Sequence, residues 1–178
     1  MSMRRFALAT ALLTGLAACG SPSLDDESLS DREFDLERYF DGQSVAYGQF
    51  MDRFGSVQRR FKVTIDGEWD GEVLTLTERF RYDDGGKETR VWRLTKTGDE
   101  TWEGTAEGVQ GVARGEERGD TFNWSYVIDL PRASGETIRV KFDDWMWLME
   151  DGRVLNKAYM SKAGVRLGEV TIFFEKRS

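Results

Sequence analysis

The chain has 178 residues, which is the size of one ordinary domain. Its 32 Asp and Glu residues outnumber its 25 Lys and Arg residues, giving a formal charge of −7. This acidic balance argues against nucleic-acid binding, which needs a basic surface. There is no histidine and only one cysteine, which excludes the usual zinc sites, Ser-His-Asp and Cys-His catalysis, and internal disulfides. We expect no metal and no cofactor.

Residues 1–18 have the features of a bacterial export signal. Arg4 and Arg5 provide a positive start, residues 6–16 are mostly apolar, and small residues precede Cys19. An apolar run of about a dozen residues is too short to span a bilayer, which takes about 20. The pattern resembles a lipoprotein signal, in which the signal is removed and the cysteine is acylated. An ordinary secretory peptide with an accidental cysteine is the alternative.

Lipidation of Cys19 would hold the protein at a membrane without any membrane-binding surface on the domain, because each buried methylene contributes about 0.8 kcal/mol. Lipoproteins with Asp after the cysteine stay in the inner membrane by the general sorting rule, whereas this chain has Gly20. We therefore expect the outer membrane, with the domain facing the periplasm. Residues 19–30 are predicted to form a flexible tether and residues 31–178 the folded domain.

The domain is predicted to begin with a short helix. Ser30 and Glu33 have the spacing of a capping box, which favours a helix through about Phe40. After Gly42 the dominant signal is the alternation of apolar and polar residues that is typical of half-buried strands. It is clearest in residues 121–130, where every even position is apolar: Phe122, Trp124, Tyr126, Ile128 and Leu130.

Turn signals divide the chain into about ten strands. A meander of this length exposes edge strands unless it closes on itself. We therefore predict an all-β fold, an antiparallel lipocalin-like barrel of about ten strands with a short N-terminal helix; a two-sheet sandwich is the alternative. Because an eight-stranded barrel already has room for a small ligand, a barrel of about ten strands is expected to enclose a larger space.

One hairpin allows its register to be predicted. A three-residue loop, residues 83–85, keeps the apolar positions on one face and pairs Leu76 with Trp92 and Glu78 with Arg90. A carboxylate and a guanidinium then face each other inside the barrel, where a bidentate pair is favourable. This pair is interpreted either as a structural ion pair or as an anchor for a ligand head group.

The segment from Trp145 to Met149 is apolar on both faces. It is predicted to lie under the N-terminal helix; the alternatives are a ligand portal and a patch that touches lipid. Asp143 and Asp144 are adjacent, so in a strand they point to opposite faces and only one of them can join Glu78 in the interior.

These observations predict a ligand site on the inner face of the barrel. Its seven candidate residues are Glu78, Arg90, Trp92, Trp124, Tyr126, Asp144 and Trp145. The expected ligand is a small amphiphile, such as a fatty acid or a phospholipid fragment, with its head group at Arg90 and its chain along the aromatic rings.

Two other functions stay open. One is a histidine-free enzyme acting on envelope lipid, with Glu78 as acid or base and Arg90 as its partner. The other is an envelope scaffold that docks a partner protein through Trp145–Met149. No catalytic residue is assigned, and the oligomeric state is left open.

Several short motifs of the mature chain point to one family. They are Tyr39-Phe40-Asp41-Gly42, Gly48-Gln49-Phe50, Asp52-Arg53-Phe54-Gly55, Glu78-Arg79-Phe80, Asp84-Gly85, Arg90-Val91-Trp92, Trp124-Ser125-Tyr126, Phe142-Asp143-Asp144-Trp145-Met146, Asn156, Met160, Lys162 and Gly164. Together they resemble the domain of unknown function 3833, a family of Gram-negative lipoproteins. The resemblance implies a single lipidated envelope domain with a lipocalin-like fold, and it transfers no catalytic residue.

Overall fold

The computed structural model describes residues 21–131 and 135–177. The predicted signal and Cys19 lie outside these residues. Within them, one short helix precedes ten antiparallel strands that close into a barrel, which confirms the predicted fold class. The elements are α1 Leu36–Phe40, β1 Gly42–Asp52, β2 Val57–Trp69, β3 Val73–Tyr82, β4 Lys87–Lys96, β5 Thr101–Thr105, β6 Ala113–Arg118, β7 Thr121–Pro131, β8 Thr137–Leu148, β9 Val154–Lys162 and β10 Val165–Lys176.

The barrel is a simple meander. Each strand pairs with the next along the chain, and β1 pairs with β10 to close the wall. The turns after β2, β4, β6 and β8 lie at the same end as α1, which we call the helix end. The turns after the odd-numbered strands up to β9 lie at the opposite end, the far end. Closure satisfies the hydrogen-bonding groups that an open sheet would expose at its edges.

Two buried carboxylates fasten the N-terminal segment across the helix end. Asp120 accepts hydrogen bonds from the backbone N–H groups of Leu29 (2.8 Å) and Ser30 (3.0 Å). Glu117 accepts one from the Leu36 N–H at 2.6 Å. Phe34 is buried between them, with its ring edge-on to Phe122 of the barrel wall at 6.3 Å between ring centroids. This segment therefore closes the helix end.

The predicted helix is shorter than expected. It begins at Leu36, and the capping box of Ser30 and Glu33 is not formed. Asp120 binds the Ser30 N–H, and the Phe34 N–H donates to the Gly119 carbonyl at 2.7 Å. These tertiary contacts hold residues before α1 in a non-helical conformation, so the local signal is overridden.

The division into a tether and a barrel domain stays a prediction. Within the predicted tether, Leu29 and Ser30 are bound to Asp120, and Asp25 forms an ion pair with Arg118 at 2.5 Å.

Among residues 21–131 and 135–177, no helix has the length and apolar character needed to cross a membrane.

The β3–β4 hairpin has the predicted register. Leu76 pairs with Trp92 and Glu78 pairs with Arg90. The loop consists of residues 83–85, and Gly85 has a φ of +83°, a conformation that glycine adopts without strain. The face on which Glu78 and Arg90 lie is therefore the inner face.

Two inward-facing glycines make room for the indole of Trp124. A Cβ atom on Gly115 of β6 would lie 2.5 Å from the Trp124 ring, and one on Gly104 of β5 would lie 2.8 Å from it. The ring thus lies flat against bare backbone on the inner wall. These glycines position Trp124, and the alternation pattern gave no indication of them.

Candidate ligand-binding cavity

The barrel is hollow. It encloses a cavity of about 390 Å³, lined by residues of α1, β1–β4 and β7–β10. This volume falls within the range of roughly 300–1,000 Å³ that is usual for ligand pockets. Most lining side chains are aromatic or aliphatic, and the charged ones are Arg59, Glu78, Glu88, Arg90 and Asp144.

Most of the predicted site residues line this cavity. They are Glu78, Arg90, Trp92, Trp124, Tyr126 and Asp144. They come from strands on different sides of the barrel, and closure brings them together around one space. Their role in binding a ligand stays a prediction.

Trp145 does not line the cavity, which corrects its inclusion in the site. Asp144 pairs with Trp124 and shares its inward face, so Trp145, the next residue along β8, points to the outer face. Its side chain is only 7 % exposed, and its indole nitrogen has no hydrogen-bond partner among the described residues.

The same alternation divides the apolar segment Trp145–Met149. Met146 lines the cavity, and Leu148 belongs to the buried core that also contains Phe34 and Leu36. Trp145 is outside that core cluster. The expected cover by the N-terminal segment therefore applies to the inward-facing Leu148 and not to the outer face.

Glu78 and Arg90 face each other but do not form the expected bidentate pair. Arg90 instead binds Glu88, with 2.7 Å between Nη2 and Oε1. The Tyr82 hydroxyl donates a hydrogen bond to the other oxygen of Glu88 at 2.8 Å. Glu88 lies two residues before Arg90 on the same strand and therefore on the same face. That spacing in the sequence is a signal from which the pairing of Glu88 with Arg90 could have been predicted.

Burial perturbs the Glu78 carboxyl. Among the described residues, it forms no hydrogen bond or ion pair within 4 Å. Burial raises the pKa of Glu78 from 4.5 to about 7, with the positive charge of Arg90 opposing the rise and the charge of Glu88 adding to it.

Asp144 is the second perturbed carboxyl. Burial raises the pKa of Asp144 from 3.8 to about 8, and the negative charge of Asp143 adds to the rise, while a hydrogen bond with Tyr126 opposes it. The Asp144 side chain is 8 % exposed, and its Oδ1 atom has no partner among the described residues. The charge of Glu78, on the same inner wall, also raises the pKa of Asp144.

Aromatic rings surround this polar centre, which we define as Glu78, Arg90, Tyr126 and Asp144. The Tyr126 ring lies edge-on to Trp92 and stacked on Phe142, with 5.1 Å between centroids in both pairs. Burial, followed by the charge of Asp144, holds the pKa of Tyr126 well above its usual value, so its hydroxyl stays protonated. The centre is thus a small polar patch within an apolar wall.

The two perturbed carboxyls predict an unusual pH dependence of stability. The folded protein retains protons on Glu78 and Asp144 that the unfolded chain releases as the pH rises from about 4 to about 8. The contribution of these groups to the free energy of unfolding therefore falls over this range and is constant above it. In the variant Glu78→Gln/Asp144→Asn, we expect this fall to be smaller by several kcal/mol, because one pKa unit corresponds to about 1.4 kcal/mol.

Urea unfolding at about pH 5 and about pH 8.5 measures this difference. Glu68→Gln is the control, because Glu68 is an exposed carboxyl on β2. Parallel pH profiles for the wild type and the double variant would contradict the assignment of the two carboxyls.

These features define the class: a closed antiparallel barrel with a mainly apolar cavity in its interior. The chain belongs to the family described as "Protein of unknown function (DUF3833)", whose model matches residues 13–176. No curated protein matches the sequence.

Solved structures share the barrel. The S-type phycobiliprotein lyase CPES from Guillardia theta matches with a TM-score of 0.54 and 9 % identity, covering 80 % of this chain and 92 % of that one. Two others match at a TM-score of 0.43. EF1p2_mFAP2b bound to DFHBI is 8 % identical, covering 79 % of this chain and 95 % of that one. A redesigned β-barrel is 9 % identical, covering 85 % of this chain and 100 % of that one. At this level of identity, the lyase shows the fold alone.

Proposed function

We propose that this protein is a lipid-anchored binding protein that holds a small amphiphile inside its barrel at the periplasmic face of the outer membrane. The observation that carries the proposal is the cavity of about 390 Å³, whose walls are mainly apolar and which contains the polar centre. Such a site has separate places for an apolar chain and a polar head group.

The geometry suggests how the ligand lies. The chain would contact Trp92, Trp124 and Phe142, which bury large apolar surfaces. The head group would meet Glu78, Tyr126 and Asp144. Arg90, which was the expected partner of an acidic head group, is already bound to Glu88.

The anchor and the location rest on the sequence of residues 1–20. A positive start, a short apolar run and small residues before Cys19 support lipidation, and Gly20 supports the outer membrane. The barrel then needs no membrane-binding surface, because the acyl chains hold it there.

Filling the cavity is expected to abolish ligand capture. Ala158 of β9 lines the cavity and pairs with Asp144, so Ala158→Phe places a ring where the ligand would lie. We expect native mass spectrometry of the expressed protein to show a non-covalently bound amphiphile on the wild type and none on Ala158→Phe. The control is Ser161→Phe, on the outward-facing side of the same strand.

The proposal fails if the wild type is recovered empty and also binds no added octyl amphiphile. Retention of the same bound mass by Ala158→Phe would show that the ligand lies outside the barrel. A melting curve for each variant separates loss of binding from loss of folding.

A second candidate function is a histidine-free enzyme. Its support is that Glu78 and Asp144 line one cavity and that the pKa of each is raised to about 7 and about 8, respectively, a range suited to acid–base chemistry. A captured amphiphile that is chemically altered over time would favour this function, whereas an unaltered one would favour binding alone.

A further inference from the structure

The cavity is lined by more acidic side chains than basic ones. Three carboxyls and two guanidiniums line it, and both guanidiniums are already engaged. Arg90 binds Glu88 at 2.7 Å, and Arg59 binds Asp84 at 2.8 Å while its guanidinium lies 3.4 Å from the centroid of the Tyr82 ring. Each guanidinium is thus already paired with a carboxylate, Arg90 with Glu88 and Arg59 with Asp84.

Two carboxyls of the cavity have no cationic partner. Among the described residues, neither Glu78 nor Asp144 has a positively charged side chain within 4 Å, and Asp144 Oδ1 accepts no hydrogen bond. The elevated pKa of each carboxyl has burial as its largest cause, and a cation beside them would reverse that effect. The centre therefore needs hydrogen-bond donors and positive charge.

The aromatic rings around these two carboxyls also favour a positively charged group. The centroid of the Tyr126 ring lies 5.1 Å from that of Trp92 and 5.1 Å from that of Phe142. The Tyr126 hydroxyl is hydrogen-bonded with Asp144. Aromatic faces attract cations, and the attraction is strongest where water is excluded. An aromatic wall with adjacent carboxyls is a suitable environment for an ammonium group and a poor one for a carboxylate.

We propose, building on the proposed function, that the cavity selects a cationic amphiphile of the alkylamine type. Its ammonium group lies between Glu78 and Asp144 and against the rings of Trp92 and Tyr126, and its apolar chain fills the remaining cavity. A fatty acid, one of the two ligands expected from the sequence, would instead bring its carboxylate to two acidic side chains that have no cationic partner.

Titration with three probes of equal chain length tests this proposal. The full chain, purified in a non-ionic detergent, is titrated with octylamine, octanol and octanoate, and tryptophan fluorescence reports occupancy through Trp92 and Trp124. We expect octylamine to bind at least about tenfold more tightly than octanoate, because a hydrogen bond to a charged group contributes about 1.5–3 kcal/mol.

The variant Glu78→Gln/Asp144→Asn provides the specificity test. It is expected to lose at least about tenfold in octylamine affinity while its octanol affinity changes by less than about twofold. Glu68→Gln, which removes an exposed charge outside the cavity, is expected to behave as the wild type.

The outcomes separate this inference from the proposed function. Tighter binding of octanoate or octanol than of octylamine, equal binding of all three, or an octylamine preference that survives in the double variant overturns the inference and leaves amphiphile binding intact. Binding of none of the probes overturns both.

Discussion

Replacing Gly67 by alanine is expected to lower the free energy of unfolding by about 3 kcal/mol and the melting temperature by roughly 10 °C. Gly67 is an inward-facing residue of β2, and a Cβ atom on it would lie 1.8 Å from the carbonyl oxygen of Phe40 at the end of α1. The strand backbone fixes the position of the Cβ atom, and the carbonyl oxygen is itself backbone, so no side-chain rotation relieves the contact. The helix must move away from the barrel, or the strand must distort.

Gly55→Ala is the matched control for this experiment. Gly55 lies in the turn after β1 with a φ of +85°, and a Cβ atom there would meet nothing within 4 Å. It is expected to lose only about 1 kcal/mol through backbone strain. Urea unfolding of both variants gives the two losses. Equal losses would mean that the contact between Phe40 and Gly67 does not fix α1 against the barrel.

Replacing Cys19 by serine is expected to abolish membrane association. The predicted acyl chains on Cys19 are the proposed anchor, and each buried methylene contributes about 0.8 kcal/mol to it. Without the thiol, no acyl chain is attached and the protein is released from the membrane fraction. Cell fractionation measures the distribution, and mass spectrometry of the N-terminal peptide shows whether acyl chains are present.

Gly20→Asp is the companion variant. It leaves the lipidated cysteine in place and, by the general sorting rule, is expected to move the protein to the inner membrane without releasing it. Full membrane retention of Cys19→Ser would show that another part of the protein provides the anchor, and the lipoprotein proposal would be wrong.

The sequence alone was sufficient where structure depends on near neighbours. Period-two alternation predicted the strands, and the parity of Leu76 and Trp92 across a three-residue loop predicted the register of the β3–β4 hairpin. The sequence left open which of Asp143 and Asp144 points inward, and the pairing of Asp144 with Trp124 in the structure places Asp144 inside. The same rule should have excluded Trp145, because adjacent strand residues cannot share a face.

Local patterns were insufficient where a distant group competes for the same atoms. The capping box at Ser30 was a correct local signal, but Asp120, far along the chain, binds the Ser30 backbone instead. In the same way, Glu88 takes the guanidinium of Arg90 that strand pairing had assigned to Glu78. Hydrogen-bond partners depend on side-chain reach, which the register does not define.

The amino-acid sequence by itself determined the class of fold, the inward face of the β3–β4 hairpin and the candidate anchor at Cys19, because these depend on short-range periodicity and local motifs. Only the tertiary structure decided that the barrel is hollow and that Glu78 and Asp144 share its interior. Those two residues belong to strands that are not neighbours in the wall, and their proximity arises from closure of the barrel around a space.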